Sequence, residues 1–201
     1  MDIGMGPKKL LNVGGNNKAI ELPKHYQGWE HVLLDIDPRG NPDVVCDARE
    51  LGMLPAAQFD AVYCSHNLEH YHRHDALKVL TGFRHVLKPT GFAHIRVPDM
   101  GELMQIVAER NLDIDDVLYH APTGPILVRD IIYGLGTEIE SSGNDFYSHK
   151  TGFTPKSLVN IVKACGFPYI YTGQNNMEVL AFAFTQEPEP GIKSLLGFGG
   201  I

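Results

Sequence analysis

Three groups of side chains in this chain could do chemistry. The stretch "SHNLEHYHRH" begins at Ser65 and sets His66 and His70 one helical turn apart, with His72 and His74 beyond. The stretch "GNDFYSHKTGF" begins at Gly143 and gathers Asp145, Tyr147, His149 and Lys150. Histidine titrates near neutral pH, so either stretch offers a general base for an acceptor that must lose a proton. His149 is the first choice, with Tyr147 beside it as a hydrogen-bonding orienter; His70 and His66 follow. Two histidines at this spacing could also share a divalent cation. Glu69 is the only acid within that cluster and Asp99 belongs to another segment, so no convergent third ligand is evident and no metal is expected.

The third group binds rather than reacts. In "KKLLNVGGNN" an apolar run ends at Gly14 and Gly15, where the missing Cβ lets backbone approach a ligand closely. Asp35 and Asp37 follow about 20 residues later, the spacing at which an acid accepts hydrogen bonds from ribose hydroxyls. A further acid, Asp47, stands in "VVCDARELGMLP". A nicotinamide dinucleotide would need G-x-G-x-x-G to hold its pyrophosphate, and "GGNNKAI" lacks it. A nucleoside-like cofactor without phosphates needs only the first glycines and the acid.

These groups must be positioned by strand ends. "KLLNVGG", "HVLLDID", "FDAVYCS" and "GFAHIRVPD" read as short buried strands, each nearly continuous in apolar residues, which indicates a parallel sheet covered on both faces. Ala76, Leu77, Leu80, Phe83, Val86 and Leu87 recur near helical spacing before "KPTG". "GELMQIVAERN" and "TPKSLVNIVKACGF" read as helices, the second with Thr154 as N-cap and Pro155 at its first position. "PYIYTGQ" and "MEVLAFAF", separated by Asn175 and Asn176, read as a closing antiparallel hairpin. Ligands of such sheets bind beyond the carboxyl ends of the strands, where the first and third groups fall.

Composition narrows the function. A formal net charge of -7, with no local cluster of Lys and Arg, opposes a nucleic-acid partner. No apolar stretch approaches the roughly 20 residues that span a bilayer, and the beginning "MDIGMGPKKLL" lacks an export pattern, so a cytoplasmic protein is expected. Cys46, Cys64 and Cys165 are odd in number and widely spaced, which suits reduced thiols.

In order and spacing, "LLNVGGNN", "LLDIDP", "VVCDARELGMLPAAQFDAVYCSHNLEHY", "LTGFRHVLKPTGFAHIRVPD" and the closing hairpin resemble the class I S-adenosylmethionine-dependent methyltransferases, specifically the small type 11 domains, from about Lys9 to Phe184. The resemblance implies a doubly wound, Rossmann-like α/β fold with seven strands in the order 3-2-1-4-5-7-6, the last antiparallel. It implies S-adenosylmethionine as cofactor, with Asn12, Gly14 and Gly15 along its methionine part and Asp35 on the ribose diol. Ile36 would flank the adenine, Asp47 would accept from its amino group with Ala48 alongside, and Ser65 and His66 would lie under the sulfonium. The first motif departs from the family, which has an acid where Asn12 stands and glycines where Asn16 and Lys18 stand; weaker cofactor affinity is the expected result. The domain spans 1–187, with an acceptor-covering insertion at about 112–154 and a flexible tail at 188–201. The expected reaction is methyl transfer to a small molecule, leaning to oxygen on a sugar or metabolite, by a monomer or homodimer. Two rivals are a degenerate cofactor-binding regulatory protein and a nicotinamide-dependent oxidoreductase.

Overall fold

Strand β1 (Lys9–Val13) buries Leu10, Leu11 and Val13 completely, so it takes the centre of a sheet with both faces covered. The computed structural model describes residues 6–122 and 124–196. On one side β1 pairs in parallel with β2 (Glu30–Asp35), which pairs with β3 (Val44–Val45). On the other it pairs in parallel with β4 (Phe59–Ser65), which pairs with β5 (Leu87–Pro98). A hairpin completes the seven-stranded sheet, β9 (Glu178–Phe184) lying antiparallel to β5 and β8 (Tyr169–Asn175) on the edge. Counting only the strands of this sheet, the order is the 3-2-1-4-5-7-6 expected from the sequence.

The two faces are covered differently. On one, Leu11, Val62, Ile95 and Ala181 meet helices α1 (Arg73–Val86) and α5 (Pro155–Ala164) in the larger core. On the other, Leu10, Tyr63, Phe92, Phe182 and Phe184 meet Tyr26 and Trp29. Those two rings come from the connection between β1 and β2, where the helix expected of a doubly wound fold is not formed. Its only helical turn is a 3-10 turn at Lys24–Tyr26. Asn16 at φ 60 and Pro23 break up the segment, so aromatic rings do the covering that a helix would otherwise do.

Between β5 and α5 the chain makes helix α2 (Met100–Arg110), a separate two-stranded ribbon of β6 (Val117–Ala121) and β7 (Gly124–Leu127), and the short helices α3 (Val128–Tyr133) and α4 (Gly136–Ser142). This excursion is tied at its base: Asp99 bridges Phe153, and the Met100 N–H donates to the Phe153 carbonyl at 2.8 Å. The closing hairpin turns one residue later than its sequence suggests, with Asn176 and Met177 both at positive φ. The Met177 N–H donates to Glu102 and its carbonyl accepts from Asp99, which fixes a conformation methionine rarely adopts. In the tail, Pro190–Leu195 forms a short helix, α6, and Ile192 and Leu196 pack on the Phe92 cluster. Residues 197–201 lie outside the described residues.

Candidate active site

The carboxyl ends of β1, β2 and β4 open into a cavity of about 540 Å³, a size suited to a nucleoside-like cofactor. Gly14 leaves β1 at φ 69, and a Cβ there would fall 2.1 Å from the side chain of Asn67. Only glycine lets the two loops meet this closely. Asn16 takes a left-handed conformation, as its short polar side chain permits, and its N–H donates to Asp35 Oδ2 at 2.8 Å. Asp35 Oδ1 accepts the Asp37 N–H at 2.9 Å. Each carboxylate oxygen therefore keeps a further lone pair for a diol.

Ile36 and Asp47 line the same cavity. Asp47 caps the turn Ala48–Met53, accepting from the Arg49 N–H through Oδ1 and from the guanidinium through Oδ2. Hydrogen bonds from Arg39 hold the Asp37 carboxyl down at about 2 against the opposing effect of burial, and the Tyr147 hydroxyl adds a bond of 2.5 Å. Tyr147 in turn accepts from Arg39 Nη2 at 2.5 Å. This triad joins the end of β2 to the segment beyond α4, and two of its members, Asp37 and Tyr147, line the cavity.

At the end of β4, His66 takes φ 49. Its Nε2 lies 2.6 Å from Glu178, which also binds Arg96, and its Nδ1 lies 3.5 Å from Glu69. Burial alone would lower its pKa, but Glu178 and Glu69 raise it to about 9, so the ring is a cation and a poor proton acceptor at neutral pH. Burial lowers the pKa of His70, an effect that the neighbouring Glu69 charge opposes. The His149 ring stands edge-on to His70, their centroids 4.9 Å apart. The two meet because the Glu69 carbonyl accepts the N–H groups of Lys150 and Thr151, pinning the end of the excursion over the turn Leu68–His70.

Of the residues singled out from the sequence, Gly14, Asp35, Ile36, Asp47, His66, His70 and Tyr147 line the cavity. Asp37, His72, Asp145 and Lys150 line it as well, whereas Asn12, Gly15, Ala48, Ser65 and His149 do not. Asn12 is buried with its amide 3.3 Å from His31, and a Cβ on Gly15 would fall 2.2 Å from that amide. Ala48 is 2% exposed, Ser65 pairs with Arg96 in the sheet, and His149 stands beside His70. Sequence reasoning passed over Asn67, Arg39 and Glu178. Asn67 could have been found from its place beside His66 at a strand end; the other two act through long-range partners that no local pattern marks.

Residues 8–95 match the family model described as a methyltransferase domain. A comparison with curated proteins finds no match. Among solved structures, a SAM-dependent methyltransferase from Archaeoglobus fulgidus is 19% identical, with a TM-score of 0.54 over 89% of this chain and 86% of that one. A SAM-dependent methyltransferase from Methanosarcina mazei is 15% identical, with a TM-score of 0.54 over 91% and 95%. The 1,6-didemethyltoxoflavin-N1-methyltransferase of Burkholderia thailandensis, solved with 1,6-didemethyltoxoflavin and S-adenosylhomocysteine, is 18% identical, with a TM-score of 0.52 over 88% and 70%. The match to the methyltransferase-domain model covers residues 8–95, and the sheet order of the whole is the fold that these S-adenosylmethionine-dependent methyltransferase structures share.

Proposed function

We propose that the protein transfers a methyl group from S-adenosylmethionine to a small molecule, with oxygen on a sugar or metabolite as the preferred acceptor. The observation that carries this is the convergence of Gly14, Asp35, Ile36 and Asp47 on one cavity whose opposite side holds His66 and His70, with His149 against His70. In this reading Asp35 accepts the ribose hydroxyls through its remaining lone pairs, Ile36 flanks the base, and Asp47 accepts from the adenine amino group. Gly14 leaves room for the methionine part.

Transfer from a sulfonium is an in-line displacement: the acceptor oxygen bonds to the methyl carbon as the carbon–sulfur bond breaks and S-adenosylhomocysteine leaves. Alignment alone supplies on the order of 7–11 kcal/mol in favourable cases. A hydroxyl acceptor must also lose its proton, for which the His149–His70 pair is the proposed base, while cationic His66 positions rather than accepts. The stretch "SHNL" stands where enzymes that methylate planar nitrogens carry an Asn/Asp-Pro-Pro-aromatic motif, which supports oxygen. The small-molecule acceptor of the Burkholderia thailandensis neighbour supports the size class.

Calorimetric titration with S-adenosylhomocysteine tests the cofactor half of this reading. Saturable binding to the wild type and none to Asp35→Ala is expected. Absence of binding to the wild type at millimolar ligand would refute it.

A further inference from the structure

Glu69 is the least explained side chain near the cleft. It is 1% exposed, and neither carboxylate oxygen has a hydrogen-bond partner among the described residues. Its closest charge is His66 Nδ1 at 3.5 Å, a long contact. A desolvated carboxylate lacking donors is costly unless a cation meets it. One of its oxygens and one ring nitrogen each from His70 and His149 lie within 4.8 Å of one another.

The two rings are oriented from outside. His70 Nδ1 lies 3.2 Å from the Ser148 carbonyl and His149 Nδ1 lies 2.9 Å from the Ile131 carbonyl. A carbonyl can only accept, so Nδ1 of each neutral ring donates and Nε2 keeps the lone pair. Such an outer bond fixes the tautomer and direction of a metal-ligating histidine. The backbone tie from Lys150 and Thr151 to Glu69 brings the distant histidine into place. The sequence offered His66 and His70 as a pair; folding instead engages His66 with Glu178 and sets His149 beside His70.

We propose that Glu69, His70 and His149 bind one divalent transition-metal cation of the zinc, cobalt or manganese class at the acceptor side of the cleft. Two imidazoles and a carboxylate suit these ions and leave coordination positions open. The three ligand atoms would draw in to about 2.0–2.2 Å from the ion. Metal binding stands independently of methyl transfer, whereas the role of the metal rests on the reading above. An acceptor hydroxyl taking an open position loses its proton to bulk water more readily, and the resulting alkoxide attacks the methyl carbon. His70 and His149 then serve as ligands instead of bases.

The test uses the full chain freed of metal with a chelator and titrated separately with Zn²⁺ by calorimetry and with Co²⁺ by visible absorption. Stoichiometric binding is expected, and His149→Ala should weaken it by at least about 100-fold. Glu69→Gln should weaken it similarly, and His149→Ala serves if that variant does not fold. His72 and His74 stack with centroids 5.8 Å apart and could trap metal adventitiously, so His74→Ala is the control and should bind as the wild type does. Failure of the wild type to bind either ion, or binding lost in His74→Ala and kept in His149→Ala, overturns the proposal. S-adenosylhomocysteine titrated into the same wild type and His149→Ala separates the two ideas. Cofactor binding without metal binding removes only the metal site, and metal binding without cofactor binding removes only the methyl-transfer reading.

Discussion

Asp37 illustrates how much of the site is decided by a single charged group. Its carboxylate accepts from the Arg39 backbone and guanidinium and from the Tyr147 hydroxyl, so its charge is stabilised only in the folded chain. The folded-state pKa, about 2, lies below the ordinary value, so this stabilisation is complete above the ordinary carboxylate range and disappears as pH falls through about 2. Asp37→Asn is expected to lower the urea midpoint at neutral pH, with the gap to wild type narrowing as acid is added; a pH-independent gap would remove the ionised carboxylate from the account. Tyr147 was legible in the sequence as a polar aromatic near the site, but as an orienter of the acceptor. Its hydroxyl instead bridges Asp37 and Arg39, because its partners lie in another part of the chain and no spacing rule connects them. Glu69 was visible as an acid between histidines, but its isolation from hydrogen-bond donors emerges only when the strand end is buried.

At the level of elements, the loops after β1 and β2 are packed against each other. A Cβ on Gly40 would fall 1.7 Å from the Asn16 carbonyl oxygen, a backbone atom that cannot step aside without moving the turn that binds Asp35. Gly40→Ala should therefore cost about 1–3 kcal/mol of stability and reduce S-adenosylhomocysteine affinity as well. Gly52→Ala, with nothing within 4 Å of its added carbon, should do neither. Thermal melts with and without ligand read both effects; equal behaviour of the two variants would deny the contact its role. Gly14 was recognisable from the sequence because it ends an apolar run, whereas Gly40 in "DPRGNP" looks like any turn glycine. Its close neighbour is set by the crossing of two loops, which local composition does not encode. Helix α5 was readable from its cap, Thr154 accepting a first-turn N–H; α2 was readable as a helix, but Asp99, which accepts two first-turn N–H groups, was not read as its cap.

Across the whole molecule, the strands were legible because each buried strand is a short apolar run and the final hairpin carries its own turn signal, while their order followed only from the family resemblance. The helix-free connection from β1 to β2 was not, since aromatic residues such as Tyr26 and Trp29 announce burial without saying which element delivers them. The aromatic face they cover is shared with Ile192 and Leu196. Ending the chain after Gln186 should thus lower the melting temperature and raise binding of an apolar dye, and an unchanged melt would make the tail a bystander. The excursion from Met100 to Gly152 leaves and re-enters the sheet at adjacent points, tied there by Asp99 and Phe153 and again by Glu69. Its ends are already held together, so the closure entropy of a flexible extension in its middle grows only logarithmically: doubling the loop length would cost about 0.6 kcal/mol. The part of the chain between α2 and α5 can therefore be lengthened or exchanged almost independently of the loops after β1 and β2, so that under the proposed function acceptor choice and cofactor retention are separable properties of one chain.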